Sequence, residues 1–75
     1  SIWDIENKIV IYPNPTNSYV NFNTYLNVKV YNILGEEIIN KERVNKIDLS
    51  EYNSGIYNIL INYKERIFNY KIIKR

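Results

Sequence analysis

Apolar and polar residues alternate along most of this 75-residue chain, and the alternation breaks only at a few punctuating residues. A period of two puts every second side chain on one face, so each alternating run reads as a half-buried β-strand. Residues 8–12 form the first run and stop at Pro13, which lacks the N–H a strand ladder needs. In residues 18–23, Val20 and Phe22 share one face against Tyr19, Asn21 and Asn23 on the other. In residues 27–33, Val28 and Val30 lie together. Residues 36–40 return as a hairpin partner with Ile38 inward, and residues 43–49 add a weaker strand with Ile47 and Leu49 inward. Further on, Tyr57, Ile59, Ile61 and Tyr63 form one row. After a reversal at Lys64-Glu65, Phe68, Tyr70 and Ile72 form the last.

The residues between the runs set the corners. Pro15 biases Asn14 away from helix, so two prolines around one Asn predict a stiff, extended corner. Gly35 offers the positive φ of a tight reversal, and Gly55 ends a turn-rich corner opened by Asp48 and Ser50. About seven short strands at this spacing predict an all-β sandwich or small barrel. Gly55-Ile56-Tyr57, where a long corner enters a strand, favours the sandwich. The Tyr57 hydroxyl either bonds backbone a few residues upstream, as in a tyrosine corner, or reaches solvent from a core aromatic ring.

Composition sharpens this picture. Ala, Met, Gln and His are absent, and Asn, Ile, Tyr and Lys dominate. Strong helix formers are thus replaced by strand formers, although an A/T-rich genome produces part of the same skew. The length allows one domain, and a chain this small buries only about 60% of its unfolded surface. With no cysteine, neither disulfides nor thiolate metal sites can reinforce it. The first residue is Ser1 rather than Met, which suggests a piece of a longer protein. No stretch approaches the ~20 apolar residues of a membrane span, and no signal peptide is visible.

Catalytic chemistry finds little support. The commonest general base is missing with His, and Ser1, Ser18, Ser50 and Ser54 lie in no nucleophile-elbow pattern. Glu36 and Glu37 are neighbours, which point to opposite faces of a strand and make a poor carboxylate dyad. Asp48, Glu51 and Asn53 match no calcium loop and read as a capped turn. The expectation is no enzyme, no cofactor and no metal. A net charge of +2 is too small for a phosphate-tracking groove, so no nucleic-acid partner is expected. Trp3, Tyr19, Tyr25 and Tyr31 leave room for a sugar-binding face if they are exposed together.

The order of the motifs carries more information than any one of them. Ile9-Val10-Ile11-Tyr12-Pro13-Asn14-Pro15 opens the series, and Val28-Lys29-Val30-Tyr31-Asn32-Ile33-Leu34-Gly35-Glu36-Glu37-Ile38 follows. Ile47-Asp48-Leu49-Ser50 and Gly55-Ile56-Tyr57 come next, and Lys71-Ile72-Ile73-Lys74 closes it. In this order and over residues 9–75, the chain resembles the C-terminal sorting domains, type A, of the type IX (Por) secretion system. It departs from that pattern mildly at Asn17-Ser18 and at Tyr52.

The resemblance implies a small immunoglobulin-like β-sandwich of about seven antiparallel strands. It implies a non-catalytic signal at the end of a cargo protein from a Bacteroidetes-type bacterium, with residues 1–7 as linker and 8–75 as the sorting domain. The implied partners are the type IX translocon, an outer-membrane shuttle and a surface sortase that removes or exchanges the domain. The implied location is the periplasm in transit, then the cell surface or the medium. Lys71, Lys74 and Arg75 are candidate recognition residues, against the simpler role of solubilising an edge strand. Pro13, Asn14, Pro15, Gly35, Gly55 and Tyr57 are candidates too, although each also has a role in the fold. The competing class is a β-sandwich binding module for carbohydrate or protein, appended to a secreted enzyme.

Overall fold

Five antiparallel strands form one connected sheet in the computed structural model, which describes residues 9–75. They are β1 (Ile11–Tyr12), β2 (Tyr19–Tyr31), β3 (Glu37–Asp48), β4 (Gly55–Tyr63) and β5 (Arg66–Lys74). The linker expected at residues 1–7, with Trp3, lies outside the described residues.

The long strand β2 organises the sheet. One of its edges pairs with β3 almost throughout, from Tyr19 opposite Asp48 to Tyr31 opposite Glu37. Its other edge is shared: β1 pairs at Asn21 and Phe22, and β4 pairs from Asn27 to Tyr31. Strand β5 then lies along β4 from Gly55–Lys74 to Tyr63–Arg66. The sheet therefore curls, with an N-terminal wing around β1 and a C-terminal wing around β4 and β5.

The seven expected strands are five because two expected breaks are bulges. The chain runs unbroken through Thr24, Tyr25 and Leu26, where the register slips between Asn21 and Leu26. It also runs unbroken through Lys41 and Glu42, with a second slip before Val28. Neither segment contains Gly or Pro, so nothing local stops the strand. The extra residues bend the strands instead. Arg43 takes a φ of 55°, and its N–H donates to the Asn27 side-chain oxygen at 3.0 Å, which replaces the lost ladder bond. A third bulge leaves both Ile38 and Ile39 half-buried against the core, so Ile38 is not the sole inward residue of its segment.

The core matches the alternation closely. Val20, Phe22, Val28, Val30, Ile47, Leu49, Tyr57, Ile59, Ile61 and Ile72 are all buried, and Leu26 joins them from the segment expected to be a break. Every inward position of β2 is an even-numbered residue, so the bend does not change the phase of its buried face. Thr16 is buried as well, and its hydroxyl donates to the Tyr19 carbonyl and accepts from the Ser18 N–H.

The β4–β5 hairpin closes at Lys64-Glu65, the expected reversal. Both residues have positive φ, 52° and 64°, as in a type I′ turn, although neither is the Asn or Gly that such a turn prefers. Gly35 has a φ of 84° and Gly55 one of 155°, and a Cβ at either would meet nothing within 4 Å. Backbone conformation, not crowding, is what glycine supplies at these two corners.

Candidate recognition surface

The Pro-Asn-Pro corner turns out to be a long-range connector. Instead of extending, the chain bends at Asn14 and Pro15, and both prolyl bonds are cis. The bend lays Asn14 against the outer edge of β5. Its side-chain N–H donates to the Lys71 carbonyl at 3.1 Å, and its side-chain oxygen accepts from the Ile73 N–H at 3.1 Å. One carboxamide thus stands in for a peptide group of a neighbouring strand. Two residues later the backbone takes over: Thr16 N–H donates to the Ile73 carbonyl at 2.9 Å, and Arg75 N–H donates to the Thr16 carbonyl at 2.8 Å. Thr16 and Lys74 form a parallel bridge. The opening motif and the closing motif of the chain are therefore one structural unit.

Lys71, Lys74 and Arg75 come together in sequence but divide in space. Strand alternation sends Lys71 and Ile73 to the outer face and Lys74 to the side of buried Ile72. Lys71 and Arg75 are exposed, and Lys74 is half-buried. Lys74 contributes, with Lys46, to the field around Asp48. The Asp48 carboxyl is held below its usual range first by its hydrogen bonds to Ser50, then by these two lysines. Its oxygen accepts from the Ser50 N–H at 2.8 Å, the geometry of a capped turn.

Tyr57 makes the tyrosine corner. Its ring is buried and its hydroxyl donates to the Asn53 carbonyl four residues upstream at 2.5 Å. Tyr52 packs edge-on against it, with ring centroids 6.5 Å apart, and its hydroxyl donates to the Ile38 carbonyl at 3.2 Å. The two tyrosines tie the corner before β4 to the start of β3.

Gly35 belongs to a turn that Asn32 holds rigid. The Asn32 side-chain oxygen accepts from the N–H groups of Leu34 and Glu36, both at 2.9 Å, and its amide donates to the Glu36 carboxylate at 2.8 Å. Ile33 and Leu34 at the tip are 77% and 80% exposed. Asn32 was not among the expected site residues, although Asn three residues before Gly is a recognisable turn signal. Thr16 was missed as well. A small polar residue directly after a proline corner gives no local sign that it will be buried.

The other residues weighed for chemistry are distributed rather than gathered. Glu37 accepts from the Tyr31 hydroxyl and the Asn40 amide, while Glu36 is held by Asn32, so the two carboxylates stiffen the hairpin separately. Among the described residues no group of three or more His, Cys, Asp or Glu side chains can hold a metal ion. Tyr19 and Tyr25 are exposed, but Tyr31 is half-buried, and the Lys46 ammonium sits 5.1 Å from the Tyr19 ring centre. The aromatic pairs among the described residues are Tyr52–Tyr57 and Phe68–Tyr70, both packed with the core. A concavity of about 230 Å³ on the outer face is lined by Asn27, Asn40 and Asn62 with Leu60 and Ile67. No helix among the described residues is long and apolar enough to cross a membrane.

Comparison with known proteins places this arrangement. No curated protein matches the chain. A family model does, described as a secretion system C-terminal sorting domain, and its match runs over residues 10–75. That span begins just before the Pro-Asn-Pro corner and ends on the strand which the corner holds, so the matched unit is the unit that the hydrogen bonds define. The chain belongs to the family of C-terminal sorting domains of the type IX secretion system.

Proposed function

We propose that this domain is the non-catalytic signal that takes an attached cargo protein across the outer membrane through the type IX translocon. The observation that carries the reading is the family match over residues 10–75. Residues 1–7 are the linker and residues 8–75 the sorting domain. The cargo crosses the periplasm in transit, an outer-membrane shuttle accepts it, and a surface sortase removes or exchanges the domain. The cargo ends at the cell surface or in the medium of a Bacteroidetes-type bacterium. The domain is the substrate of that processing.

At the finer level the fold is an immunoglobulin-like sandwich whose two layers are the wings of the bent sheet. The bulges in β2 and β3, the buried row that continues through the bend, and the tyrosine corner at Tyr57 support it. The recognised surface is the outer edge of β5 with Lys71 and Arg75, both exposed, and the corner at Pro13, Asn14 and Pro15 beside it. Lys74 contributes at the rim. Gly35, Gly55 and Tyr57 act through the fold.

The test is an export assay. The 75-residue chain is fused behind a periplasmic reporter and expressed in a host with the type IX system and in a translocon-deficient strain. Reporter at the surface or in the medium of the competent strain alone is the expected result. Intact, folded fusion retained in both periplasms would overturn the proposal.

A further inference from the structure

Among the described residues, no strand pairs with the outer edge of β5, the last strand and part of the proposed recognition surface. From Lys71 onward the edge is instead occupied by residues 14–16. The backbone groups involved are the Lys71 carbonyl, the Ile73 N–H and carbonyl, and the Arg75 N–H. Asn14 satisfies the first two with its side chain, and Thr16 satisfies the other two with its backbone. These partners lie 57 and 59 positions from Asn14, so no local interaction can replace them. Thr16 is fixed in turn by its own burial and by its hydroxyl bonds to Tyr19 and Ser18. The clamp is therefore anchored in the core on one side and grips the end of the chain on the other.

We infer that Asn14 is a positioning residue for export. It does not itself need to touch the secretion machinery. It holds Lys71–Arg75 as a strand with defined faces, so that Lys71 and Arg75 are presented on one side and Lys74 on the other. The sorting signal is then composite: the terminal segment is read in the shape that the Pro-Asn-Pro corner imposes on it. A free, frayed end with the same sequence is read poorly. This inference rests on the sorting role proposed above.

The experiment compares Asn14→Ala with the unaltered chain and with Val44→Ala, in the same reporter fusion. Val44 is half-buried on β3, away from the clamp, so its variant loses stability without releasing β5. Amide hydrogen exchange of the same proteins reads the clamp directly. In Asn14→Ala the Ile73 and Arg75 amides should exchange about tenfold faster or more, while Ile59 and Ile61 keep their protection, because fraying of an edge is a local opening. Export of Asn14→Ala should fall at least about fivefold on the same local-opening argument, and export of Val44→Ala should stay near that of the unaltered chain.

Normal export of Asn14→Ala with a loosened Ile73 would overturn the inference and leave the sorting role standing. So would an equal fall in Val44→Ala, which would make the effect one of stability alone. Unchanged exchange at Ile73 would show that Asn14 does not hold the strand and would also overturn it. Failure of the unaltered chain to be exported would count against the sorting role first. If Asn14→Ala unfolds, Asn14→Asp carries the test. It keeps the acceptor for Ile73 but sets a carboxylate oxygen against the Lys71 carbonyl, so the Ile73 amide should exchange faster and export should fall below that of both the unaltered chain and Val44→Ala. Asn14→Asp with export at the unaltered level and a loosened Ile73 would again overturn the inference.

Discussion

Two long outer strands of the described sheet, β3 and β5, face the same hazard and meet it differently. Each presents a row of backbone groups that another chain could pair with. Strand β3 blunts its edge locally. It carries Glu37, Lys41, Glu42, Arg43, Lys46 and Asp48, and the positive φ of Arg43 puts a bulge in its middle. Lys41 is opposite buried Val28, so its Cβ starts on the core-facing row, but its side chain is exposed and holds a charge at the open edge, which discourages further pairing. Strand β5 is less charged on its outer face, where Ile67 is 67% and Ile73 45% exposed. Its protection comes from the far end of the chain, through Asn14 and Thr16. Local defence needs only the right residues in the strand. Remote defence couples the strand to a distant segment, and so makes its order a property of the whole domain.

The largest expected effect tests how deeply each edge strand is rooted. Ile72 of β5 is 1% exposed, and Ile72→Ala should cost about 3–4 kcal/mol. Val44 of β3 is half-buried, and Val44→Ala should cost about 1 kcal/mol. Urea unfolding of both variants measures the difference. Similar losses would mean that β3 is anchored as firmly as β5, and the contrast between the edges would fail.

A smaller effect, of opposite sign, sharpens the same contrast through the hairpin that carries β5. Lys64 and Glu65 hold left-handed backbone conformations that suit Asn and Gly. Lys64→Asn with Glu65→Gly should therefore stabilise the domain by about 1–2 kcal/mol, again read from the urea midpoint. Unchanged stability would mean that the turn is not a type I′ reversal in solution.

The smallest effect concerns pH. The Ser50 bonds and the two lysines lower the Asp48 folded pKa, so its stabilising contribution is complete above the ordinary carboxylate value of about 4 and is lost as pH falls through the folded value. The melting temperature should drop on acidification below about pH 4, and Asp48→Asn should flatten that drop. An identical acid profile in the variant would remove Asp48, at the end of β3, from the electrostatics of the rim it shares with Lys74.

How much of this was legible follows from the range of each interaction. Alternation alone located Val20, Phe22, Val28, Val30, Ile47, Leu49, Ile59, Ile61 and Ile72, because burial on one face needs only a period of two. The reversals at Gly35 and Lys64-Glu65 were readable for the same local reason. The merging of seven strands into five was not. Nothing in Thr24-Tyr25-Leu26 distinguishes a bulge from a break, and the outcome depends on how β3 pairs alongside. The role of Asn14 was still less accessible, since it depends on residues at the other end of the chain. The split between Lys71 and Lys74, by contrast, was already implied by their odd separation in sequence.

The clamp also has a mechanical side. Thr16 and β5 run parallel where they meet, so the chain enters at one end of the pair and leaves at the other. A pull on Arg75 opposed by a load upstream of β1 would strain the Thr16–Ile73 and Arg75–Thr16 bonds together, in shear. Bonds loaded in shear share the force, whereas bonds at a peeled edge give way one after another. The domain would thus resist traction along its own axis better than prying from the side.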